Sequence, residues 1–578
     1  MASPGDHGRW LFPTLHGYSL SRLPGDAIAA LVLTAIAMPG QLATSTLMGL
    51  PPMVGLFAFA AGGLAFAAFG ANRFASVAAD STIAPIMAGT LALIVAPGTP
   101  HYAALAAVLA LMVGAVLLLA GLLRAGWIAD LLSVPVTTGF LAGIAVHIIV
   151  SQLPTVLGVA APQGHVLERL LILLGELPQS KLYPLLIGGG VLAGTLLAEW
   201  ISPRIPGAML GVVAAGLAVW LFGLHDVAVL GALPLSPPKL TLSLPDWDEF
   251  THLVPLAFTV ALVCMMQTAA VVRSFPSDPS QPENVSRDFG AVGAGSILAG
   301  LTGSFAVDAS PPSTAAVAES GGSSQICSLL AVAIIAVIVL VLADAFVFVP
   351  QAALSGVLIF IALRICRVST MLQIYRQSRY EILLVAASAA LVVAMPIQTG
   401  VSMSIALSLL NSLYIIARPD SAVLARVPGT TVWWDLPAEA HGEHEPGVLV
   451  FAPGAPINFT NAYYLRGKLM DAIARMGEPC RLVVIEATAV MSVDFTGAQI
   501  LKRTITDLRK RGIDVALARM ESERAQHAAG ETGLADEIGA DHMFRSVEDA
   551  VRALRAQAPI GRVRDPAAGP SLDERRGA

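Results

Sequence analysis

The chain has 578 residues, of which 55% are hydrophobic and only 13% charged, against roughly 25% charged in ordinary globular proteins. A mean hydropathy of +0.73 excludes a single soluble enzyme, and a net charge of -6 with a pI near 6.0 excludes a general nucleic-acid binder, which needs a concentrated basic face. The charge is unevenly spread: residues 1–419 hold 15 Lys/Arg and 18 Asp/Glu, whereas residues 420–578 hold 19 and 22. The first part therefore reads as membrane-embedded and the second as soluble. Cys264, Cys327, Cys366 and Cys480 are too far apart for a CxxC site and too few for a disulfide framework, and read as packing residues.

Crossing a bilayer core of about 30 Å takes roughly 20 apolar helical residues. In chain order such runs fall at 27–47, 51–70, 75–96, 102–124, 127–153, 182–201, 206–224, 252–272, 289–303, 308–322, 324–346, 350–366, 380–396 and 398–417, which predicts fourteen spans. The run 163–177 is apolar but short and contains Glu168 and Arg169, so it reads as an interfacial helix between the fifth and sixth spans. Basic residues mark one side: Arg9 and Arg22 precede span one, Arg73 follows two, Arg124 four, Arg204 six, Arg273 and Arg287 eight, and Arg364, Arg367, Arg376 and Arg379 twelve. The connection after span seven is acidic instead, with Asp226, Asp246, Asp248 and Glu249 against Lys239. Positive charge stays cytoplasmic in short loops, so the expectation is a multi-pass inner (plasma) membrane protein with both termini in the cytoplasm. The first apolar run follows a polar stretch and lacks a cleavage site, so no signal peptide is expected.

Fourteen spans divide into seven plus seven, and an odd repeat inserted twice runs in opposite directions through the membrane, the plan of many secondary transporters. The third span of each half is interrupted. The first reads GANRFASVAADSTIAPIM, Gly70 to Met87, with Asn72, Arg73, Ser76, Asp80, Ser81, Thr82 and Pro85 breaking the apolar run. The second reads GSFAVDASPPSTAAVAESGG, Gly303 to Gly322, with Asp308, Ser310, Ser313, Thr314 and Glu319 around Pro311 and Pro312. Ser310 followed by Pro311 predicts a helix starting mid-membrane, with Ser capping free amides. Two such amide ends facing one cavity suit an anion; the alternative is that these polar residues only cap and pack interrupted helices. Asp130, Glu319 and Asp344 lie near span ends, where solvation or a local partner accounts for them. His147 reads as a packed, hydrogen-bonded residue, and the glycines of LIGGGVLAG at 186–194 as close helix packing.

These stretches resemble the sulfate permease (SulP) family of anion transporters. The match is carried by MPGQLATSTLMGLPPMVGLFAF at 38–59, FGANRFASVAADSTIAP at 69–85, AGWIADLLSVPVTTGFLAG at 125–143, ASPPSTAAVAESGGSSQ at 309–325 and ARPDSAVLARVPGTTVW at 417–433. The resemblance implies a uracil-permease-like fold of core (spans one to four and eight to eleven) and gate domains, a dimer, and elevator-like displacement of the core. It also implies an anion between spans three and ten, with contributions from one and eight, and hence a substrate-binding set of Gln41, Ser76, Gln267, Ala309, Ser310, Ser313 and Thr314. The chain departs from the family pattern at three places. Gly40 then Gln41 stand where many members have Gln or Glu after the proline of span one. Gln267 stands where many have an acid, and Pro312, Ser313 and Thr314 stand where Ser-Arg-Thr is frequent. The expected site thus has no fixed positive charge and suits sulfate, bicarbonate, chloride, nitrate or a small dicarboxylate alike. An ionised carboxylate beside a bound anion is unfavourable, so Asp80 and Asp308 are candidates for coupling transport to H+ or Na+, the alternative being helix N-caps.

Beyond residue 419 the pattern changes. GVLVFA at 447–452, RLVVIEA at 481–487 and IDVALAR at 513–519 are short β-rich runs separated by amphipathic helical stretches at 460–476 and 496–511, which predicts an α/β domain. Ser546 with Asp549 caps a final helix through about 556. The expected organisation is a cytoplasmic segment 1–23, a transport domain 24–418, a polar linker 419–445, the α/β domain 446–557 and a disordered tail 558–578. VIEATAVMSVDFTGAQIL at 484–501 resembles the STAS domain that follows SulP membrane domains, its Asp-x-Ser-Gly turn matched by Asp494, Phe495, Thr496 and Gly497. That makes Thr496 a candidate phosphorylation site, or a plain helix cap. No P-loop, metal-ligand set or hydrolase triad is present, so no enzyme and no cofactor is expected. The expectation is a secondary active anion transporter with a regulatory STAS domain, a homodimer with a possible cytoplasmic partner at STAS and none among nucleic acids. The rival readings are an uncoupled channel-like pathway and a transport-inactive sensor.

Overall fold

A computed structural model describes residues 11–131, 133–162, 164–202, 205–224, 226–231, 245–278, 280, 283–435 and 442–557. Arg9, Arg204, Lys239, the tail 558–578 and the side chains of Asp130 and Asp344 lie outside the described part. The chain packs as two compact units, Met1–Leu409 and Leu410–Ala578, a division that falls earlier than the expected 418.

The first unit is helical: α1 (Leu23–Leu47), α2 (Pro52–Phe69), α3 (Ala84–Ile94), α4 (Pro100–Leu122), α5 (Val134–Leu157), α6 (Val166–Glu176), α7 (Leu182–Ile201) and α8 (Gly207–Phe222) make the first half. The second half repeats the order with α9 (Trp247–Ser274), α10 (Val285–Leu301), α11 (Pro311–Glu319), α12 (Ile326–Leu342), α13 (Gln351–Ile365), α14 (Val368–Gln377), α15 (Glu381–Ala394) and α16 (Ile397–Ala417). Each of the fourteen apolar runs contains one of these helices, and the remaining two, α6 and α14, occupy the same place in each half, after the fifth run. Among the described residues eight helices are long and apolar enough to cross a membrane, while α3, α8, α12 and α15 are apolar but shorter. The α6 helix carries a capping box, Glu168 accepting from His165 N at 3.1 Å, which explains why that acid sits inside an apolar run.

The packing has the pairing an inverted repeat demands. The α4 helix packs on α10 and its counterpart α12 on α2; α5 packs on α15 and its counterpart α13 on α7; α1 packs on α12 and α9 on α4. Helices α1–α4 with α9–α12 form one group, and α5, α7, α8, α13 and α15 another. The third run of each half breaks into a two-residue strand and a short helix: β1 (Val77–Ala78) precedes α3 and β2 (Asp308–Ala309) precedes α11. The two strands pair antiparallel, Val77 with Ala309 and Ala78 with Asp308. Extended backbone in a membrane interior must bond to protein, and the broken segment of the other half is the partner at hand. A Cβ on Gly62 would lie 2.5 Å from Val77 O, so glycine is what lets α2 pass this close to β1. In LIGGGVLAG only Gly188 is packed: a Cβ on the facing Gly356 would meet Gly188 O at 2.4 Å, whereas Gly189, Gly190 and Gly194 face open space. His147 bonds through Nε2 to Val392 O at 2.8 Å. Cys327 does more than pack, donating its thiol to the buried Asp26 at 3.2 Å.

The second unit is a six-stranded sheet with helices on both faces, in the strand order β4-β3-β5-β6-β7-β8. The strands are β3 (Ser421–Arg426), β4 (Trp433–Trp434), β5 (Val448–Pro453), β6 (Leu482–Glu486), β7 (Asp514–Ala518) and β8 (Met543–Phe544). The four strands β5 to β8 are parallel, and β3 and β4 run antiparallel at one edge. Strand periodicity sorts the core: Leu449, Phe451, Val483, Ile485, Val515 and Leu517 face α17 (Ala462–Arg475), α18 (Phe495–Lys510), α19 (Glu523–Glu531) and α20 (Leu534–Ile538). Val450, Leu482, Val484 and Ala516 face α21 (Val547–Gln557), whose first turn is capped by Ser546 Oγ accepting from Asp549 N at 3.0 Å. The 419–445 segment is thus not a plain linker. Its residues Ser421–Leu424 pair with Val450–Pro453 of β5, a non-local partner that local polarity does not reveal.

Candidate functional site

The antiparallel crossing of β1 and β2 is held by side chains from equivalent helices of the two halves. From α1, Gln41 Nε2 donates to Ala79 O at 2.9 Å and Gln41 Oε1 accepts from Ala79 N at 3.1 Å, so one amide side chain imitates a strand neighbour. From α9, Gln267 Nε2 donates to Ala309 O at 3.1 Å. Thr314 Oγ1 accepts from Ser76 N at 3.0 Å, and Ser310 N donates to Ser76 O at 2.9 Å, closing the crossing from the α11 side. Both glutamines are therefore committed to backbone groups that a broken helix leaves unpaired.

The helix starts offer fewer free amides than their sequences suggest. The α11 helix begins at Pro311, but Ser310 makes no side-chain cap; its Oγ donates to Ser313 Oγ at 3.2 Å instead. Pro311 and Pro312 have no N–H, and Thr314 N is bonded to Ser310 O, which leaves Ser313 as the first-turn residue with an amide to offer. At the other start, Thr82 N donates to Asp80 Oδ1 at 2.8 Å and Ala84 N to Asp80 O at 3.1 Å. The polarity available to a ligand is mainly that of hydroxyl and amide side chains.

A cavity of about 520 Å³ lies against this crossing. Of the residues expected from the sequence, Gln41, Asp80, Gln267, Ser310 and Ser313 line it, together with Ser81 and Thr82. Ser76, Asp308, Ala309 and Thr314 do not line it: Asp308 and Ala309 form β2, and Ser76 and Thr314 bond to each other beside the strand pair. Asp308 is fully buried, its Oδ1 accepting from Ala309 N at 2.7 Å and Thr268 Oγ1 at 3.0 Å, its Oδ2 without a hydrogen-bond partner among the described residues. Gly40 lines the cavity with nothing within 4 Å of where its Cβ would stand.

The opposite wall belongs to the second helix group and carries charges that lie outside the interrupted segments. Arg364, at the end of α13, is ion-paired with Glu199 of α7, and Arg367 follows it in a left-handed backbone conformation, φ 45°. Both arginines line the cavity, as do Glu199 and Glu319. The strand crossing itself thus contributes no cation, whereas the cavity lining includes two. The signal was in the sequence, in the basic cluster after span twelve, where it read only as topology. In the second unit, Thr496 is exposed in the first turn of α18, and the cap is Asp494, whose Oδ1 accepts from Gly497 N at 2.6 Å and Oδ2 from Phe459 N at 2.8 Å.

Comparison with known proteins agrees with this architecture. Residues 23–388 match the model of the sulfate permease family and residues 440–550 that of the STAS domain. A probable sulfate transporter of Mycobacterium tuberculosis is 32% identical over 93% of this chain and 96% of its own length. An Arabidopsis thaliana probable sulfate transporter is 22% identical over 94% of this chain and 88% of its own. Among solved structures, the murine solute carrier 26 family member A9 anion transporter in the inward-facing state superimposes with a TM-score of 0.84 at 18% identity, covering 94% of both chains. The transmembrane domain of a cyanobacterial bicarbonate transporter, BicA, superimposes at 0.59 and 20% identity over 68% of this chain and 98% of its own. A helical membrane unit built on two crossed, interrupted segments, followed by an α/β sheet domain, and the match of both parts to one family make this chain a member of the sulfate permease family, with a C-terminal STAS domain.

Proposed function

We propose that the chain is a proton-coupled secondary transporter of small anions, with the group α1–α4 and α9–α12 moving as a core against the rest in an elevator-like step. The substrate class is that of the relatives, a probable sulfate transporter and a bicarbonate transporter. It includes chloride and small dicarboxylates, because hydroxyl and amide donors suit all of these anions. The cavity reaches the ends of α7, α9 and α13, and in the sequence basic residues stand at or just after each of these ends. With positive charge on the cytoplasmic side, it opens inward.

One observation carries the coupling. Thr82 Oγ1 lies 2.5 Å from Asp80 Oδ1 and 2.9 Å from Gln267 Oε1, and it has one proton for two acceptors. The Gln267 amide is oriented by its bond to Ala309 O, so its oxygen stays turned toward Thr82. A proton on Asp80 completes the chain: Asp80 donates to Thr82, and Thr82 to Gln267. The same proton removes a negative charge from the cavity lining that also carries Ser81, Ser310 and Ser313, where an anion would bind. Of the two candidate acids this favours Asp80, on the cavity wall, over Asp308, in the strand pair.

The test is flux in proteoliposomes containing the full chain, with one labelled anion competed against a panel under imposed pH and sodium gradients. Uphill uptake driven by an inward proton gradient, and saturable, is expected. Flux that runs only downhill and does not saturate would identify a channel-like pathway, and binding without flux a sensor. The STAS domain is assigned a cytoplasmic, regulatory role. Phosphorylation at Thr496 would add charge beside the N-terminus of α18, and mass spectrometry of protein from its native cell checks that assignment.

A further inference from the structure

The two walls of the cavity differ in charge. The wall on the side of the strand crossing contributes neutral hydroxyls and amides and two acids, Asp80 and Glu319 of α11. Every cation lining the cavity, Arg364 and Arg367, is on the opposite wall. These two are not equivalent. Arg364 is held by Glu199, so its charge is neutralised where it stands. Arg367 has no acidic partner among the described residues, is half-buried, and leads from α13 into α14 through a left-handed turn. A non-glycine residue in that region is uncommon, and here it sets an unpaired guanidinium on the cavity wall.

We propose that Arg367 is the affinity-setting cation of the inward-open state and makes anion binding one-sided. The proposal rests on the transport reading above. If the core carries the anion away from the opposite wall, the anion keeps its hydroxyl and amide partners but leaves Arg367 behind. Coulomb attraction from a partly buried cation falls with distance, so the anion binds more tightly when the cavity faces the cytoplasm than when it faces out. A ligand that favours one of two states shifts the population toward it, so cytoplasmic anion also holds the carrier inward-open.

The experiment uses the full chain in proteoliposomes of defined orientation, with labelled sulfate and labelled chloride as the two probes. Arg367→Asn removes the charge with a residue that tolerates the left-handed backbone, and Arg367→Lys keeps the charge. Arg367→Asn is expected to raise the half-saturating concentration on the cytoplasmic side about tenfold, equivalent to about 1.4 kcal/mol, and to leave the outer side unchanged. Arg367→Lys is expected to restore most of the difference. An equal shift on both sides, or none on the cytoplasmic side in a folded variant, overturns the proposal. If the unaltered chain moves neither probe, the transport reading fails and one-sidedness falls with it. Equilibrium binding of sulfate to detergent-purified protein then decides Arg367 as an anion ligand: a roughly tenfold loss in Arg367→Asn supports it, and unchanged binding refutes it.

Discussion

Thr82, caught between Asp80 and Gln267, sets the sharpest expectation at the scale of single residues. Asp80→Asn supplies the missing donor permanently, so anion flux should persist while its stimulation by an inward proton gradient disappears; uptake measured across a pH series with and without the gradient checks this. Asp308→Asn keeps the acceptor for Ala309 N and Thr268 Oγ1 and should retain the proton dependence, with stability within about 1 kcal/mol of the unaltered chain. The polar residues of both interrupted segments were readable in sequence, but not their division of labour. Asp80 and Asp308 look alike as acids before short helices, but Asp308 is taken into the strand pair while Asp80, two residues past β1, lines the cavity.

At the scale of elements, the crossing of β1 and β2 is as strong as the few contacts that close it. Thr314→Val leaves Ser76 N buried without its acceptor and should cost about 1–3 kcal/mol. Gly62→Ala drives a methyl into Val77 O and should cost about as much by overpacking. Thermal unfolding in detergent measures both, and anion flux should fall with them because the crossing positions the cavity. In the sheet domain, His542 sits 3.0 Å from Asp514 and 3.0 Å from Asp541. Burial alone would lower its pKa, but the hydrogen bonds and charges of the two aspartates raise it above the ordinary histidine value. A raised folded pKa gives stability that is complete below the unfolded pKa and is lost as pH rises through the folded one. Hydrogen exchange over β7 and β8 should therefore speed up as pH is raised across that window, after correction for intrinsic rates, and His542→Gln should flatten the trend.

The whole molecule divides into two packed units, and their cores are lined by separate clusters, so damage to one should stay there. Val483 is fully buried in the sheet, and Val483→Ala should destabilise that unit by about 1.5–3 kcal/mol while exchange in the helical unit is unchanged. By itself, the sequence determined the membrane character, the fourteen apolar runs, the two interrupted third segments and the α/β domain. Each of these follows from composition and local periodicity, and those are properties of neighbouring residues. It misread Ser421–Arg426 as linker, since that strand exists through its pairing with β5, and it treated the basic cluster after span twelve as topology alone. Tertiary structure decided which polar residues face the cavity, that prolines and local bonds use up most helix-end amides, and that Arg367 stands across from the strand crossing. Those facts depend on segments hundreds of residues apart meeting at one point, and no local pattern in the chain encodes which side of each segment the meeting exposes.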